Sequence, residues 1–332
     1  MTRSALIIGA TGGIGSETAS ALLAKGYAVR ALHRSPQLAA DRFRALGAVE
    51  WVKGDALNAA EVLEAARGVS VIVHAANPPG YRNWKGVALP MLQSTIAAAQ
   101  ANQARIVLPG TVYNFGPDAG ACVDESAPQH PATRKGAIRV EMERRLKEAT
   151  QHGARVLIVR AGDFFGPRAA NSWFNYGLVK PGRPLRSVSY PGVHDVGHSW
   201  AYLPDLAETI VQLLGREGEL APFDVFHFKG HWFERGVALA EATRAAAGLT
   251  RGKVGRFPWI ATTLLSPFVE TFREMQEMRY LWAVPLELDN RKLVAFLGKE
   301  PHTPIESALA ETLRGLGCLP APRSLSSLAA SS

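Results

Sequence analysis

The sequence predicts an α/β fold: a Rossmann-type, doubly wound parallel sheet followed by a smaller, mainly helical C-terminal lobe. Short β-branched runs alternate with helix-like segments through the first half of the chain, which is the pattern of parallel strands covered by helices on both faces. A glycine-rich turn joins the first strand to the first helix, and helical patterning dominates residues 234–316. The predicted strands are 5–8, 28–33, 49–53, 69–74, 105–109, 155–160 and 223–228.

The first helix is predicted to begin near Gly13 and to end at Gly26. Its residues Ile14, Thr18 and Leu22 recur at helical spacing, and glycine tolerates the left-handed conformation that ends many helices. A strand, a tight glycine turn and a helix in this order form one half of a mononucleotide-binding unit.

The order of these elements predicts two domains. Residues 1–165 form the predicted Rossmann domain, and 195–230 return to it because they contain another strand candidate. Residues 166–194, which are rich in glycine and proline, and 231–318 form the predicted substrate lobe. The tail, 319–332, is dominated by serine and alanine and is predicted to be disordered.

Composition and charge exclude several classes of protein. With 332 residues and 47% hydrophobic content the chain can bury a sizeable core, and its two cysteines, Cys122 and Cys318, suggest neither a disulfide framework nor a metal site. The net charge of +8 favours anionic ligands. The densest basic group, residues 134–147, is interleaved with glutamates as on a solvated helix face, so no nucleic-acid partner is expected. No apolar run spans a bilayer and no signal peptide begins the chain, so we expect no membrane partner and a cytoplasmic location.

Residues 9–15, Gly-Ala-Thr-Gly-Gly-Ile-Gly, directly follow the first predicted strand and open the first helix. A dinucleotide diphosphate must approach bare backbone at such a helix N-terminus, where unpaired N–H groups and the positive end of the helix dipole stabilise negative charge. A side chain would obstruct that approach, so the geometry requires glycine. The alternative is an ordinary glycine-rich turn between a strand and a helix. The residues predicted to bind the cofactor here are Gly9, Thr11, Gly12, Gly13, Ile14 and Gly15.

The end of the second predicted strand indicates which dinucleotide is bound. An acidic residue there would hold the 2′-hydroxyl of NAD, whereas this strand ends in His33 and is followed by Arg34. With no carboxylate and a guanidinium available, a 2′-phosphate is attracted rather than repelled. His33 and Arg34 are therefore predicted to bind the ribose end of NADP, with NAD kept as an alternative. The alternative for Arg34 is a solvated loop residue.

These motifs and later segments resemble the extended short-chain dehydrogenase/reductase superfamily, in particular its NAD-dependent epimerase/dehydratase-like members, over about residues 4–315. The spacing Gly-x-x-Gly-x-x-Gly is the form found in extended members. Residues 53–56 resemble the segment whose Asp contacts adenine, and 73–76 resemble the fourth-strand segment that lines the cofactor. Residues 160–167 are similar to R-x-x-N-x-Y-G-P, with Asp and Phe in place of Asn and Tyr, and 202–207 are similar to V-x-D-x-A. The resemblance implies further cofactor contacts from Asp55, Ala56, Ala75 and Ala76.

The predicted active site departs from the family's pattern. The family uses a Ser or Thr together with a Tyr and a Lys spaced Y-x-x-x-K on one helix, and the Tyr exchanges a proton with the substrate oxygen. Residues 109–116 resemble the family segment S-x-x-V-Y-G, which places Thr111 at the hydroxyl position. Aligning Glu143 with the acidic residue one turn after the family Lys places Lys135 at the Tyr position and Arg139 at the Lys position.

Thr111, Tyr113, Lys135 and Arg139 are the predicted catalytic residues. Thr111 would orient the substrate, and Arg139 would bind ribose hydroxyls and place positive charge near the nicotinamide, although a guanidinium cannot titrate usefully. Lys135 acts as an acid only if burial and Arg139 lower its pKa, whereas Tyr113 shares a strand face with Thr111 and offers a phenol. The alternatives are a pocket-wall aromatic for Tyr113 and a solvated helix face for the two cations.

Two functions follow from these features. The intact cofactor half and the irregular substrate segment favour an NADP(H)-dependent oxidoreductase or epimerase-like enzyme that acts on a small carbonyl, hydroxyl or nucleotide-sugar compound. The missing Y-x-x-x-K pair favours a non-catalytic NADP(H)-binding sensor or regulatory protein instead. A pure sensor has little reason to retain Thr111, so the enzyme is the leading hypothesis. The family resemblance also implies a homodimer formed by helix pairing.

Overall fold

The central sheet consists of seven parallel strands, and its last strand comes from far along the chain. The computed structural model describes residues 3–78 and 84–319. The sheet confirms the predicted Rossmann-type α/β fold, and the strands predicted at 28–33, 49–53 and 223–228 have the predicted bounds. The described strands are β1 (Ser4–Ile8), β2 (Ala28–His33), β3 (Val49–Lys53), β4 (Val71–His74), β5 (Arg105–Thr111), β6 (Cys122–Val123), β7 (Arg155–Ala161), β8 (Asp163–Phe165), β9 (Ser189–Tyr190), β10 (His198–Tyr202), β11 (Phe223–Phe228), β12 (His231–Phe233), β13 (Gly255–Arg256) and β14 (Glu287–Leu288).

The strand order in the central sheet is β11-β7-β5-β4-β1-β2-β3. The chain builds outward from β1 to β3 and then returns to place β4 on the other side of β1, so a crevice opens at the carboxyl ends of these strands. The strands end level there, because Ile8 pairs with His74 across β1 and β4, and Thr111 pairs with Ala161 across β5 and β7. β5 and β7 run beyond their predicted ends, which brings Thr111 to the edge where the crevice opens.

Helices cover both faces of the sheet, and the strands supply side chains to both layers. In β1, Ala5 and Ile7 pack into one hydrophobic core whereas Leu6 and Ile8 pack into the other, since successive side chains of a strand point to opposite faces. This two-sided burial explains the continuous apolar runs in the sequence. The described α-helices are α1 (Gly13–Ala24), α2 (Pro36–Arg42), α3 (Ala59–Ala65), α4 (Trp84–Asn102), α5 (Arg134–Thr150), α6 (Leu203–Gly215), α7 (Val237–Ala246), α8 (Trp259–Leu265), α9 (Glu270–Glu277), α10 (Arg291–Leu297) and α11 (Ile305–Gly315). Short helical turns lie at Arg44–Leu46, Val112–Asn114, Phe174–Leu178, Glu217–Glu219 and Arg279–Trp282.

Most of the C-terminal part of the chain packs around a second core that is rich in aromatic residues, among them Trp173, Trp200 and Trp282. Three small sheets accompany it: β8-β10-β12, β9-β13 and β6-β14. The boundaries between the two domains stay a prediction. Of the tail predicted to be disordered, 319–332, all but Leu319 lies outside the described residues. No helix in the described part of the chain has the length and apolar content needed to cross a membrane.

Candidate functional site

A cleft of about 380 Å³ lies where the crevice at the carboxyl ends of β1, β4, β5 and β7 meets the C-terminal lobe. Glycine-rich backbone forms one end of the cleft and aromatic side chains form the other. Most of the predicted cofactor residues line it, whereas Gly15, His33, Asp55 and Ala56 lie outside the lining. The predicted residues in the lining are Gly9, Thr11, Gly12, Gly13, Ile14, Arg34, Ala75, Ala76, Thr111, Tyr113 and Arg139.

The glycine turn fits a diphosphate because its close contacts leave no room for side chains. Gly9 has φ +94°, and an added Cβ would lie 2.6 Å from the backbone nitrogen of Ala76. The Gly12 amide donates to the Gly9 carbonyl at 3.0 Å, and Gly12 then caps α1, whose first turn carries no acidic residue. Gly15 lies beneath the turn, where a Cβ would meet the Gly9 carbonyl oxygen at 2.2 Å. The turn therefore presents bare backbone and the N-terminus of α1 to the cleft.

Arg34 brings positive charge to the cofactor end of the cleft. Its side chain is exposed, lines the cleft and forms no ion pair within the described residues. Asp163 is the one carboxylate among the described lining residues, and it follows β7 rather than β2. His33 lies outside the lining, and its Nδ1 accepts a hydrogen bond from the Ser35 amide at 3.0 Å. Asp55 caps its own turn by accepting from the Leu57 amide at 3.0 Å.

Three of the predicted catalytic residues meet in the cleft. The Thr111 hydroxyl is half-buried at the end of β5 and accepts a hydrogen bond from the Tyr113 amide at 3.3 Å. The prediction that Tyr113 shares a strand face with Thr111 is wrong, because β5 ends at Thr111 and Tyr113 lies in the helical turn that follows; Tyr113 nevertheless lines the cleft. Arg139 is buried, donates from Nη2 to Asn77 Oδ1 at 2.8 Å and lies 5.2 Å from the ring centre of Trp84. A fixed cation thus lies in the lining beside the carboxyl ends of β4 and β5.

The structure does not bring Lys135 into this group. Its ammonium is buried outside the lining of the cleft, 2.8 Å from Glu274 Oε2, and it donates to the Glu274 carbonyl at 3.1 Å. Burial lowers the pKa of Lys135, while the hydrogen bond and charge of Glu274 act in the opposite direction. Glu274 lies in α9 and Lys135 lies in the first turn of α5, so this ion pair joins the C-terminal lobe to α5. A catalytic role for Lys135 stays a prediction.

Sequence reasoning missed a buried carboxylate–imidazole pair in the same cleft. Asp163, in β8, lines the cleft, and its Oδ2 lies 2.9 Å from Nε2 of His198 in the neighbouring strand β10. The His198 ring stacks on Trp282, with ring centres 4.2 Å apart and planes 10° from parallel. Asp163 was visible in the sequence only as a substitution for the family's Asn. Its histidine partner is 35 positions away along the chain, so spacing gave no signal for the pair.

His74 lies in the segment 73–76 that was predicted to line the cofactor, but no role of its own was predicted for it. Its Nδ1 lies 2.8 Å from Thr95 Oγ1, and that hydroxyl donates to the Met91 carbonyl at 3.1 Å. Because the hydroxyl has one hydrogen, His74 Nδ1 donates and Nε2 is left unprotonated. Burial, aided by the charge of Arg139, lowers the pKa of His74 to about 3. The cleft is therefore lined by a neutral imidazole whose Nε2 has no hydrogen-bond partner among the described residues.

A buried ion-pair network supports the strands behind the cleft. Arg160, at the end of β7, donates to both carboxylate oxygens of Glu143 in α5, at 3.0 and 2.6 Å. Its Nη1 lies 3.0 Å from His227 Nε2, and His227 Nδ1 lies 3.1 Å from the Val123 carbonyl. His227 is therefore neutral: Nδ1 donates to the carbonyl and Nε2 accepts from Arg160. Burial, with the charge of Arg160, lowers the pKa of His227 to about 3.

Comparisons with known proteins agree with this geometry. Residues 9–172 match a family model described as NAD(P)H-binding. UDP-glucose 4-epimerase from Bifidobacterium longum, solved with NAD+ and UDP, superposes with a TM-score of 0.68 at 16% identity, covering 94% of this chain and 97% of the epimerase. UDP-glucuronic acid 4-epimerase from Bacillus cereus, solved with UDP-glucuronic acid and NAD, gives 0.72 at 17% identity, covering 94% and 98%. The Bordetella bronchiseptica enzyme WbmH, solved with NAD+, gives 0.69 at 19% identity, covering 95% and 98%.

No curated protein sequence gives a significant match to the chain. The solved structures share the fold of the chain along nearly its whole length, while the family model covers the part that carries the glycine turn and the cleft. Residues 9–172 thus carry an NAD(P)H-binding domain, and the chain has the fold of the UDP-sugar epimerases, in agreement with the resemblance drawn from its motifs.

Proposed function

We propose that the protein is an NADP(H)-dependent oxidoreductase that acts on a small carbonyl or hydroxyl compound. The observation that carries this proposal is that one cleft joins the bare glycine turn and Arg34 at its cofactor end to Thr111, Tyr113 and Asp163 at its other end. The epimerases that share the fold were solved with UDP-sugars. Here, however, the described lining between residues 162 and 173 carries no cation, which favours an uncharged substrate over a nucleotide diphosphate.

The chain's own residues supply binding and proton transfer, while NADPH, when bound, would supply the hydride. The amides of the glycine turn would hold the diphosphate and Arg34 the 2′-phosphate. The Thr111 hydroxyl would orient the substrate oxygen. In reduction, His198 as an imidazolium would pass its Nε2 proton to Asp163, and the Asp163 carboxyl would give a proton to the substrate oxygen as that oxygen gains negative charge, which leaves a carboxylate and a neutral imidazole. Oxidation would return the proton to the same carboxylate.

Dinucleotide binding is tested by replacing Gly12 with valine. Gly12 has an ordinary φ of −86°, so the turn can keep its backbone while the new side chain occupies the approach of the diphosphate. Titration calorimetry is expected to show a roughly 10–100-fold loss of NADPH affinity, or about 1.4–2.7 kcal/mol. Gly218→Val is the matched control, since Gly218 is exposed and a Cβ there meets nothing within 4 Å. Equal affinity in the two variants would contradict the predicted diphosphate site.

The preference for NADP is tested by Arg34→Gln. Removing this exposed cation is expected to weaken NADPH binding roughly tenfold and to leave NADH binding within about twofold, because only NADPH carries the 2′-phosphate. Arg42→Gln removes the same charge from the exposed surface of α2 and serves as the control. If Arg34→Gln weakens NADH and NADPH binding equally, Arg34 does not bind the 2′-phosphate.

A non-catalytic NADP(H)-binding sensor is the second candidate. One observation favours it: Lys135, the residue at the position of the family's catalytic Tyr, is held by Glu274 outside the cleft. A panel of aldehydes, ketones and their alcohols distinguishes the two functions. Substrate-dependent NADPH oxidation supports the enzyme. Its absence, together with a protein complex that responds to the NADPH/NADP ratio, supports the sensor.

A further inference from the structure

An exposed apolar ridge lies on the C-terminal lobe, along α8 and the turn that follows it. Ile260, Leu264 and Phe268 are 81%, 70% and 85% exposed and are spaced four residues apart, so those in the helix share one face. Leu265 and Val269, 46% and 37% exposed, extend the same surface. We call these five residues the apolar ridge. Contiguous exposed apolar surface of this kind marks a binding site more often than single exposed side chains do.

Unpaired positive charge flanks the apolar ridge. Residues 242–269 contain four Arg or Lys and no Asp or Glu. Arg251, Lys253 and Arg256 are exposed and form no ion pair within the described residues. The loop that carries the first two cations is held in place by Arg244, whose buried guanidinium donates to the carbonyls of residues 249, 251 and 252 at 3.2, 2.5 and 3.0 Å.

The ridge is anchored to the lobe by aromatic contacts that reach the cleft. Trp259, the first residue of α8, donates from Nε1 to the Pro191 carbonyl at 2.6 Å, and the exposed Arg279 lies 5.2 Å from its ring centre. The Trp259 ring also lies 6.0 Å from the ring of Trp173, which lines the cleft. Trp259 therefore connects the start of α8, which carries the apolar ridge, to the aromatic end of the cleft.

The acidic residues of α9 leave this positive charge largely intact. Glu274 is bound by Arg134 and Lys135, and Glu277 is bound by Arg134, so these two carboxylates face α5. The third, Glu270, lines the same pocket between α9 and α5 as they do. The side of the lobe that carries residues 251–256 thus combines exposed cations with exposed apolar side chains. Arginine, lysine and tryptophan beside a short apolar helix face are the composition of segments that bind the interface of anionic bilayers.

We propose that the apolar ridge and the basic segment 251–256 dock the protein peripherally on an anionic lipid surface. The apolar side chains would enter the headgroup region, and Arg251, Lys253 and Arg256 would contact lipid phosphates. Symmetric self-association through this patch is disfavoured, because it would gather the unpaired cations of both copies in one interface that contributes no carboxylate from residues 242–269. The proposal departs from the expectation of no membrane partner, which rested on the lack of a spanning segment.

Vesicle sedimentation with the full chain tests this surface. We expect at least roughly tenfold tighter binding to phosphatidylcholine vesicles that contain phosphatidylglycerol than to phosphatidylcholine alone, with binding weakened by salt. The triple variant Ile260→Ser, Leu264→Ser and Phe268→Ser is expected to lose this binding. The charge variant Arg251→Gln, Lys253→Gln and Arg256→Gln is expected to lose the preference for phosphatidylglycerol.

The matched control replaces three exposed leucines on the sheet domain, Leu38, Leu57 and Leu63, with serine and is expected to bind vesicles like the unmodified protein. Retained NADPH binding and circular dichroism show that each variant is folded. The proposal is overturned if the unmodified protein does not prefer anionic vesicles or if the ridge variant binds them equally well. It is also overturned if light scattering finds a dimer that the ridge variant dissociates while vesicles bind neither protein.

Discussion

Asp163→Asn is expected to lower turnover by about 10²–10⁴-fold, the usual contribution of a positioned acid or base. The amide keeps the size of the carboxylate and can still accept a hydrogen bond from His198 Nε2, but it cannot give or take the proton at the substrate oxygen. NADPH affinity should change little, because the glycine turn and Arg34 lie at the other end of the cleft. The measurement is steady-state NADPH oxidation with a substrate identified from the carbonyl panel, paired with calorimetry.

Three further variants show which group moves the proton. Ser172→Ala changes another lining residue and should leave turnover nearly unchanged. His198→Gln should act through Asp163 as a positioning change, so it should shift the pH profile of turnover more than it shifts KM. Tyr113→Phe removes the phenol that shares the cleft. If Tyr113→Phe abolishes turnover while Asp163→Asn keeps it, the tyrosine is the proton donor and the role proposed for Asp163 is wrong.

The cofactor half was predictable because its geometry is local in sequence. A strand, a glycine turn and a helix follow one another within residues 4–24, and Gly12 and Gly15 are limited by contacts with Gly9 inside that segment. The tightness around Gly9 itself, which meets Ala75 and Ala76 after β4, is not visible in the motif. Thr111 was predictable from local sequence as well, since it ends a strand. In the structure β5 ends two residues later than predicted, because it remains paired with β7 as far as Ala161.

The proposed proton-transfer residues were not predictable from spacing, because long-range contacts decide which of them reach the cleft. Lys135 and Arg139 are one helical turn apart, yet Glu274 from α9 holds the first outside the cleft and Asn77 after β4 binds the second within it. Asp163 gains its histidine through pairing of β8 with β10. Each partner is far along the chain from the residue it binds. The periodicity of the sequence therefore cannot predict these contacts.

The exposure of the apolar ridge was also not predictable from the sequence. Its spacing of four residues is what a buried amphipathic helix also shows, so the sequence predicts a helix here but not which face is covered. In the structure Thr262 is buried, whereas Ile260 and Leu264 are exposed, so the apolar side of α8 faces outward. Only the packing of neighbouring elements shows that α8 exposes its apolar side and buries Thr262.

Lowering the pH from about 7.5 to about 4.5 is expected to reduce the free energy of unfolding by about 5 kcal/mol through His74 and His227 together. Burial lowers the pKa of each histidine from 6.5 to about 3. Between those values the unfolded chain binds more protons than the folded chain, so this stability is fully present above the unfolded pKa and is lost as the pH falls. Each histidine contributes up to about 1.4 kcal/mol per pH unit. The loss approaches the whole stability of a typical domain.

Urea unfolding without cofactor, followed by circular dichroism at several pH values, measures this loss. His74→Asn keeps a donor for the Thr95 hydroxyl but cannot titrate, so the dependence of unfolding free energy on pH should become shallower by about 1.4 kcal/mol per unit. His152→Asn, at an exposed position, should leave the dependence unchanged. An identical pH dependence in both variants would mean that folding does not lower the pKa of His74. Protonating His227 would in addition place its charge against Arg160, so the strands behind the cleft should be among the first to open in acid.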